Sequence, residues 1–201
     1  MRLLVEDLTC VRGGRSLFQG LGFALGAGET AIVTGPNGAG KSSLLRLIAG
    51  LLRPAGGRIS LDGSADRAPG GSAHFVGHLD GVKSALSAFE NLEFLRALLG
   101  GGSEASAAAL ARLGLSHLAS LPVRMFSAGQ KRRLALARLL VAPRPLWLLD
   151  EPTSALDAEG QETFADLAAE HLTHGGLIVA TTHAPLKIER AQEIRLGGGG
   201  A

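Results

Sequence analysis

Cysteine is almost missing from this chain, with Cys10 alone among 201 residues. One thiol cannot build a disulfide framework, a zinc site or a C-x-x-C-H haem attachment, and its isolation fits a reducing compartment. Lysine is scarce as well, limited to Lys41, Lys83, Lys131 and Lys187, so arginine supplies most of the positive charge. The basic residues are scattered, and a formal net charge of +2 is too small to argue for a nucleic-acid partner. Long apolar runs are absent. None approaches the roughly 18 residues that a membrane-crossing helix needs. Met1-Arg2 leads straight into an alternating strand pattern, not a charged and then apolar leader. These absences predict a soluble chain with no direct membrane insertion, whose role at any membrane comes through a partner. The length suits one α/β domain with a substantial core.

What is present is a complete phosphate-binding loop, Gly35-Pro36-Asn37-Gly38-Ala39-Gly40-Lys41-Ser42. The spacing G-x-x-x-x-G-K-[ST] lets consecutive backbone N–H groups curl around nucleotide phosphates. Lys41 reaches the β/γ oxygens, and the Ser42 hydroxyl is suited to Mg²⁺. Ala31-Ile32-Val33-Thr34 before the loop is apolar and β-branched, as a buried strand should be. Ser43 through Ile48 after it has helical spacing, which points a helix N-terminus at the anion.

Elsewhere the chain reads as alternating β and α segments. Leu3 to Leu8 and Leu17 to Leu25 read as strands around the turn Arg12-Gly13-Gly14-Arg15, and Gly26-Ala27-Gly28-Glu29 is a further turn. Gly57 to Leu61 and Ala73 to Gly77 read as short strands joined by a loop around Ala68-Pro69-Gly70-Gly71. Periodic Leu and Ala dominate from Ala88 to Leu121, broken at Gly100-Gly101-Gly102, which predicts a helical insert over about residues 80–139. The flanking residues 1–79 and 140–196 form the core of a single domain, 1–201. After Pro143-Arg144-Pro145 come a strand at Leu146 to Leu149, a helix from about Ala158 and a strand at Leu177 to Thr181; the Gly197–Gly200 run reads as a frayed tail.

The strand Leu146–Leu149 ends in two acids, Asp150 and Glu151. Beside a phosphate loop, the first acid is placed to hold Mg²⁺ through water and the second to polarise an attacking water.

These residues carry a resemblance. Phe126-Ser127-Ala128-Gly129-Gln130, running into the basic helix Lys131 to Arg138, resembles the signature segment of ABC-type ATPases. Asp150 to Asp157 resembles that family's metal-binding strand end and D-loop, and Thr181-Thr182-His183 its switch histidine. The resemblance implies an α/β P-loop NTPase core with an antiparallel β subdomain and an inserted helical signature subdomain. It also implies roles. Lys41, Ser43 and the loop amides bind ATP; Ser42 and Asp150 hold Mg²⁺; Glu151 is the general base or orients the water; His183 contacts the γ-phosphate. Ser127, Gly129 and Gln130 bind the γ-phosphate of ATP held by an opposite subunit, and Asp157 communicates across that interface. Each chain has one phosphate loop and one signature segment, so the implied active unit is a head-to-tail dimer, in its simplest form a homodimer. Ser127 also reads as a helix N-cap in front of Gln130, and His183 as an ordinary strand-end histidine.

Two positions depart from the family pattern. Arg12 stands about where many members stack an aromatic ring on adenine; a guanidinium plane can stack too, and Phe18 is the nearest aromatic alternative. Leu79 stands where a glutamine is expected, which leaves His78 or Asp80, or backbone geometry, for the polar contact. The stretch between Lys41 and Gln130 has no room for the coiled coil of a chromosome or DNA-repair ATPase, and a translation-factor type would carry two such domains. The sequence is most similar to ATP-binding subunits of the haem-exporter (Ccm) family of cytochrome c biogenesis. The residues that carry this are Leu8 to Arg12, Val76-Gly77-His78, Leu86 to Leu92, Ser127 to Arg133 and Ile178 to His183. That resemblance implies docking on integral membrane subunits at the cytoplasmic face of a bacterial inner membrane, as a peripheral protein. ATP hydrolysis there drives haem export or release of a haem-loaded chaperone. The alternatives are a transporter of another cargo and a soluble ABC ATPase that remodels a protein complex.

Overall fold

Leu146–Asp150 and Leu177–Thr181 are buried at every position, which an alternating one-faced strand could not be. Such runs belong in the middle of a parallel sheet covered on both sides. A computed structural model describes residues 1–62, 69–78, 81–182, 186–188 and 191–197. Leu79, Asp80 and His183, singled out above, lie outside the described residues, as do Ala68 and Gly198 to Gly200.

In chain order the elements are β1 (Arg2–Arg12), β2 (Arg15–Gly26), β3 (Thr30–Thr34), α1 (Lys41–Ile48), β4 (Gly56–Asp62), β5 (Ala73–Val76), α2 (Ala88–Leu99), α3 (Ala105–Arg112), α4 (Ala128–Ala137), β6 (Leu146–Asp150), α5 (Ala158–Thr173), β7 (Leu177–Thr181) and β8 (Ala191–Arg195). Five strands form a parallel sheet in the order β5-β6-β7-β3-β8, and β2-β1-β4 form a separate antiparallel sheet. The fold is α/β with an antiparallel β subdomain, as the resemblance implied.

The parallel sheet divides two apolar clusters. Leu146 and Leu148 of β6, with Leu177 and Val179 of β7, face the antiparallel sheet and α1. Their neighbours Trp147, Leu149, Ile178 and Ala180 face α5 and the helices between β5 and β6. That inserted unit is fastened through Asn91, whose amide donates to the carbonyls of Lys83 (3.0 Å) and Ser87 (2.9 Å), while its Oδ1 accepts from the Lys83 N–H (2.7 Å). α2 opens on a capping box: Ser87 Oγ accepts from the Glu90 N–H, and Glu90 accepts from the Ser87 N–H. It ends at Gly100, φ +77°, in the left-handed conformation glycine allows.

Several expectations are refined. Helix α1 begins at Lys41, two residues before the periodic run. Pro69–Ser72, expected as loop, forms a 3-10 turn, as do Ser116–Leu118, Val123–Met125 and Arg138–Leu140. Strand β8 was not anticipated: at this edge only Ile194 of Ala191–Arg195 is buried, so the segment has no apolar alternation to read. Gly197, expected in a frayed tail, lies against Pro36 of the phosphate loop, where an added Cβ would come within 3.2 Å of Pro36 Cδ.

Candidate active site

The loop between β3 and α1 is shaped by close approaches. Gly35 has φ +136°, and a Cβ there would lie 2.4 Å from the Leu196 carbonyl oxygen just after β8, so no side chain fits. Helices α2, α4 and α5 have side-chain N-caps, from Ser87, Ser127 and Asp157, whereas α1 starts from Gly40 with no side-chain cap. Its first-turn N–H groups, Ser42 and Ser43 among them, have no partner within the helix. Lys41 is nearly buried, and its Nζ donates to the carbonyls of Gly35 (2.8 Å) and Pro36 (3.3 Å), so the cation is held inside the loop.

A cavity of about 640 Å³ opens over this loop. Asn37, Gly38, Gly40, Lys41, Ser42 and Ser43 line one side, Asp150 and Glu151 another, and Arg12 a third. The other predicted loop residues stand behind: Gly35 and Pro36 supply the carbonyls to Lys41, and the Ala39 N–H bonds to the Pro36 carbonyl. Of the two candidate base platforms, Arg12 lines the cavity, while Phe18 packs against Gly40. His78 lines it too, together with Leu17 and Ser154, which the sequence reading did not single out.

The two acids differ in surroundings. Asp150 is 3% exposed; its Oδ1 accepts from Thr181 Oγ1 at 2.7 Å, and its buried Oδ2 has no hydrogen-bond partner among the described residues. An orphaned buried carboxylate oxygen on a residue that lines one cavity with Ser42 and the phosphate loop suits a hard divalent cation, which typically takes one or two carboxylates plus phosphate oxygens. No group of three or more His, Cys, Asp or Glu with metal-holding geometry occurs among the described residues, so a cation there would depend on nucleotide oxygens. Glu151 sits just past the strand with φ +54°, in the left-handed region. For a non-glycine residue that costs of order 1–2 kcal/mol. The turn is held by its N–H donating to the Thr181 carbonyl (3.1 Å) and by its carbonyl accepting from the Ser154 N–H (3.1 Å) and hydroxyl (2.9 Å).

The remaining predicted residues assemble elsewhere. Ser127, Gly129, Gln130 and Asp157 line a second cavity, of about 410 Å³, together with Arg133 and His117, and it shares no lining residue with the first. Ser127 caps α4 in a full capping box with Gln130 (3.2 Å and 2.9 Å). Asp157 caps α5 through the Gly160 N–H (2.9 Å) and pairs with Arg133 (2.6 Å). The Arg133 guanidinium first, then the Gly160 amide, hold its carboxyl below the usual range. Arg133 could have been found from the basic run after Gln130, but charge alone does not say which arginine turns inward.

Residues 18–154 match the family model described as "ABC transporter". The chain belongs to the ABC transporter ATPase family. ATP hydrolysis coupled to transport is that family's activity. This ATPase is 56% identical over 198 residues to the "Cytochrome c biogenesis ATP-binding export protein CcmA" of Rhodopseudomonas palustris (strain BisB5), covering 98% of each chain. It is 54% identical over 199 residues to the protein of the same name from Nitrobacter winogradskyi, covering 98% of this chain and 99% of the relative. Among solved structures, an ATP-binding subunit of an ABC transporter superposes with a TM-score of 0.86 at 24% identity, covering 98% of this chain and 86% of that one. A dimeric, post-hydrolysis ATP-binding cassette, MJ0796, bound to ADP and Pi, gives 0.81 at 24% identity, covering 96% and 94%. At that identity the likeness is one of fold.

Proposed function

We propose that this ATPase powers haem handling in c-type cytochrome biogenesis, either haem export or release of a haem-loaded chaperone. Near-full-length identity to proteins named as cytochrome c biogenesis export subunits carries this reading. The chain acts as one ATPase domain, with about residues 80–139 as its insert. Two copies associate head to tail on integral membrane subunits of the Ccm type, at the cytoplasmic face of a bacterial inner membrane. No helix among the described residues is long and apolar enough to cross a membrane. The insert supports a docking role: Phe89, Phe94, Leu98, Leu121 and Met125 are exposed on it.

In the reaction, ATP lies over the phosphate loop with Arg12 beneath the base, and Lys41 and the Gly38–Ser43 amides neutralise its phosphates. Ser42 and Asp150 would hold Mg²⁺, whose positive charge would offset that of the phosphates. Glu151 orients water for in-line attack on the γ-phosphorus and takes its proton, His183 contacts the γ-phosphate, and His78, which lines the cavity, takes the polar contact that the family gives to a glutamine. Ser127, Gly129 and Gln130 of the opposite copy close the site, and Asp157 relays its state. Catalysis by positioning and charge stabilisation suffices for this chemistry.

The test is to express tagged Glu151→Gln in the native host, solubilise the membranes gently and identify the proteins that co-purify. Recovery of cytochrome c biogenesis membrane subunits is expected. A different permease discards the haem reading, and solely soluble partners favour a remodelling ATPase.

A further inference from the structure

Arg132 is 2% exposed, an unusual place for a guanidinium. Its Nη2 donates to the carbonyls of Asp150 (2.7 Å) and Glu151 (2.6 Å), its Nε to that of Pro152 (3.1 Å), and its Nη1 to that of Gly77 (2.9 Å). One side chain on α4 thus grips three successive peptides of the turn after β6, together with the end of β5 beside His78. The middle peptide belongs to Glu151, which sits in the left-handed region. Such a conformation persists only where its surroundings over-determine it.

We propose that Arg132 is a positioning residue: it locks the backbone of Glu151 and makes the placement of the general base depend on the seating of α4. Arg132 stands little more than one helical turn beyond Ser127, whose capping box fixes the start of that helix. Whatever engages Ser127 and Gly129 therefore pulls on the same rigid element that holds the Glu151 peptide. A planar fork reaches four carbonyls at once; a lysine ammonium, a point donor, cannot. The role rests on Glu151 being the base, as proposed above.

Arg132→Lys and Arg132→Gln test it. Nucleotide affinity and KM should stay within about twofold while kcat falls about tenfold to a hundredfold, as for a misplaced catalytic group. Unchanged kcat per bound nucleotide in either folded variant overturns the proposal. If neither folds, hydrogen exchange on chains that do fold decides. With ATP bound, Glu151→Gln should show slower exchange at the Ser154 amide than Ser127→Arg/Glu151→Gln, in which α4 cannot engage. Equal rates overturn the coupling. A Glu151→Gln chain that hydrolyses ATP at the wild-type rate instead overturns the base assignment.

Discussion

Asp150 and Glu151 are sequence neighbours with opposite surroundings. One is sealed at the end of interior strand β6 with a carboxylate oxygen unpaired; the other sits past the strand in a left-handed turn and lines the cavity. The roles proposed for them should separate in mutants. Glu151→Gln keeps the shape and loses the base, so it should bind ATP normally and hydrolyse it about 100-fold more slowly or worse, read by a filter-binding assay beside phosphate release. Lys41→Ala removes the cation that the Gly35 and Pro36 carbonyls hold, and should lose both binding and turnover. Substantial residual activity in Lys41→Ala would overturn the site.

At the scale of elements, Ser127 caps α4, and substitutions can part that role from the contact proposed for it with ATP of the opposite copy. Ser127→Ala breaks the α4 cap, at about 1 kcal/mol, and lowers the melting temperature by a few degrees. Ser127→Asp can still accept the Gln130 N–H, so it should melt like wild type yet fail to hydrolyse, because a carboxylate would meet the γ-phosphate. Strand β5 carries a pH signature. Burial pushes His74 down to about 4 against a smaller upward pull from its hydrogen bond with the Ala142 carbonyl, and Arg144 and Arg138 lower it further. The folded state therefore refuses a proton that the unfolded chain accepts below about 6.5. Stability is full above that pH and falls as pH drops from about 6.5 to about 4, by about 3 kcal/mol from this residue. Urea titrations across that window should show the slope, and His74→Gln should reduce it, leaving the part that comes from His171, which burial also pushes down. The loop, the acid pair and the central strands were legible because their patterns are local. Edge strand β8, the Arg133–Asp157 pair and the inward turn of Arg132 were not, because each depends on which distant backbone a polar side chain meets.

Across the whole molecule, the two candidate half-sites occupy separate cavities with no lining residue in common, the arrangement that the proposed head-to-tail pairing of two copies requires. Mixing inactive Lys41→Ala with inactive Ser127→Arg should restore part of the activity, since a mixed dimer holds one intact pairing of loop and signature. No recovery in a mixture that demonstrably dimerises would count against head-to-tail assembly. The sheet order has a further consequence, one for synthesis. The strand that carries the phosphate loop, β3, pairs with β7 and β8, the two described strands furthest along the chain, and Gly35 is roofed by Leu196. A ribosome that has reached Gly176 has thus translated every residue of the nucleotide-binding loop without giving β3 either of its partner strands. Chains stalled before Leu177 should retain no labelled ATP, and the capacity should appear abruptly once Leu196 has cleared the exit tunnel.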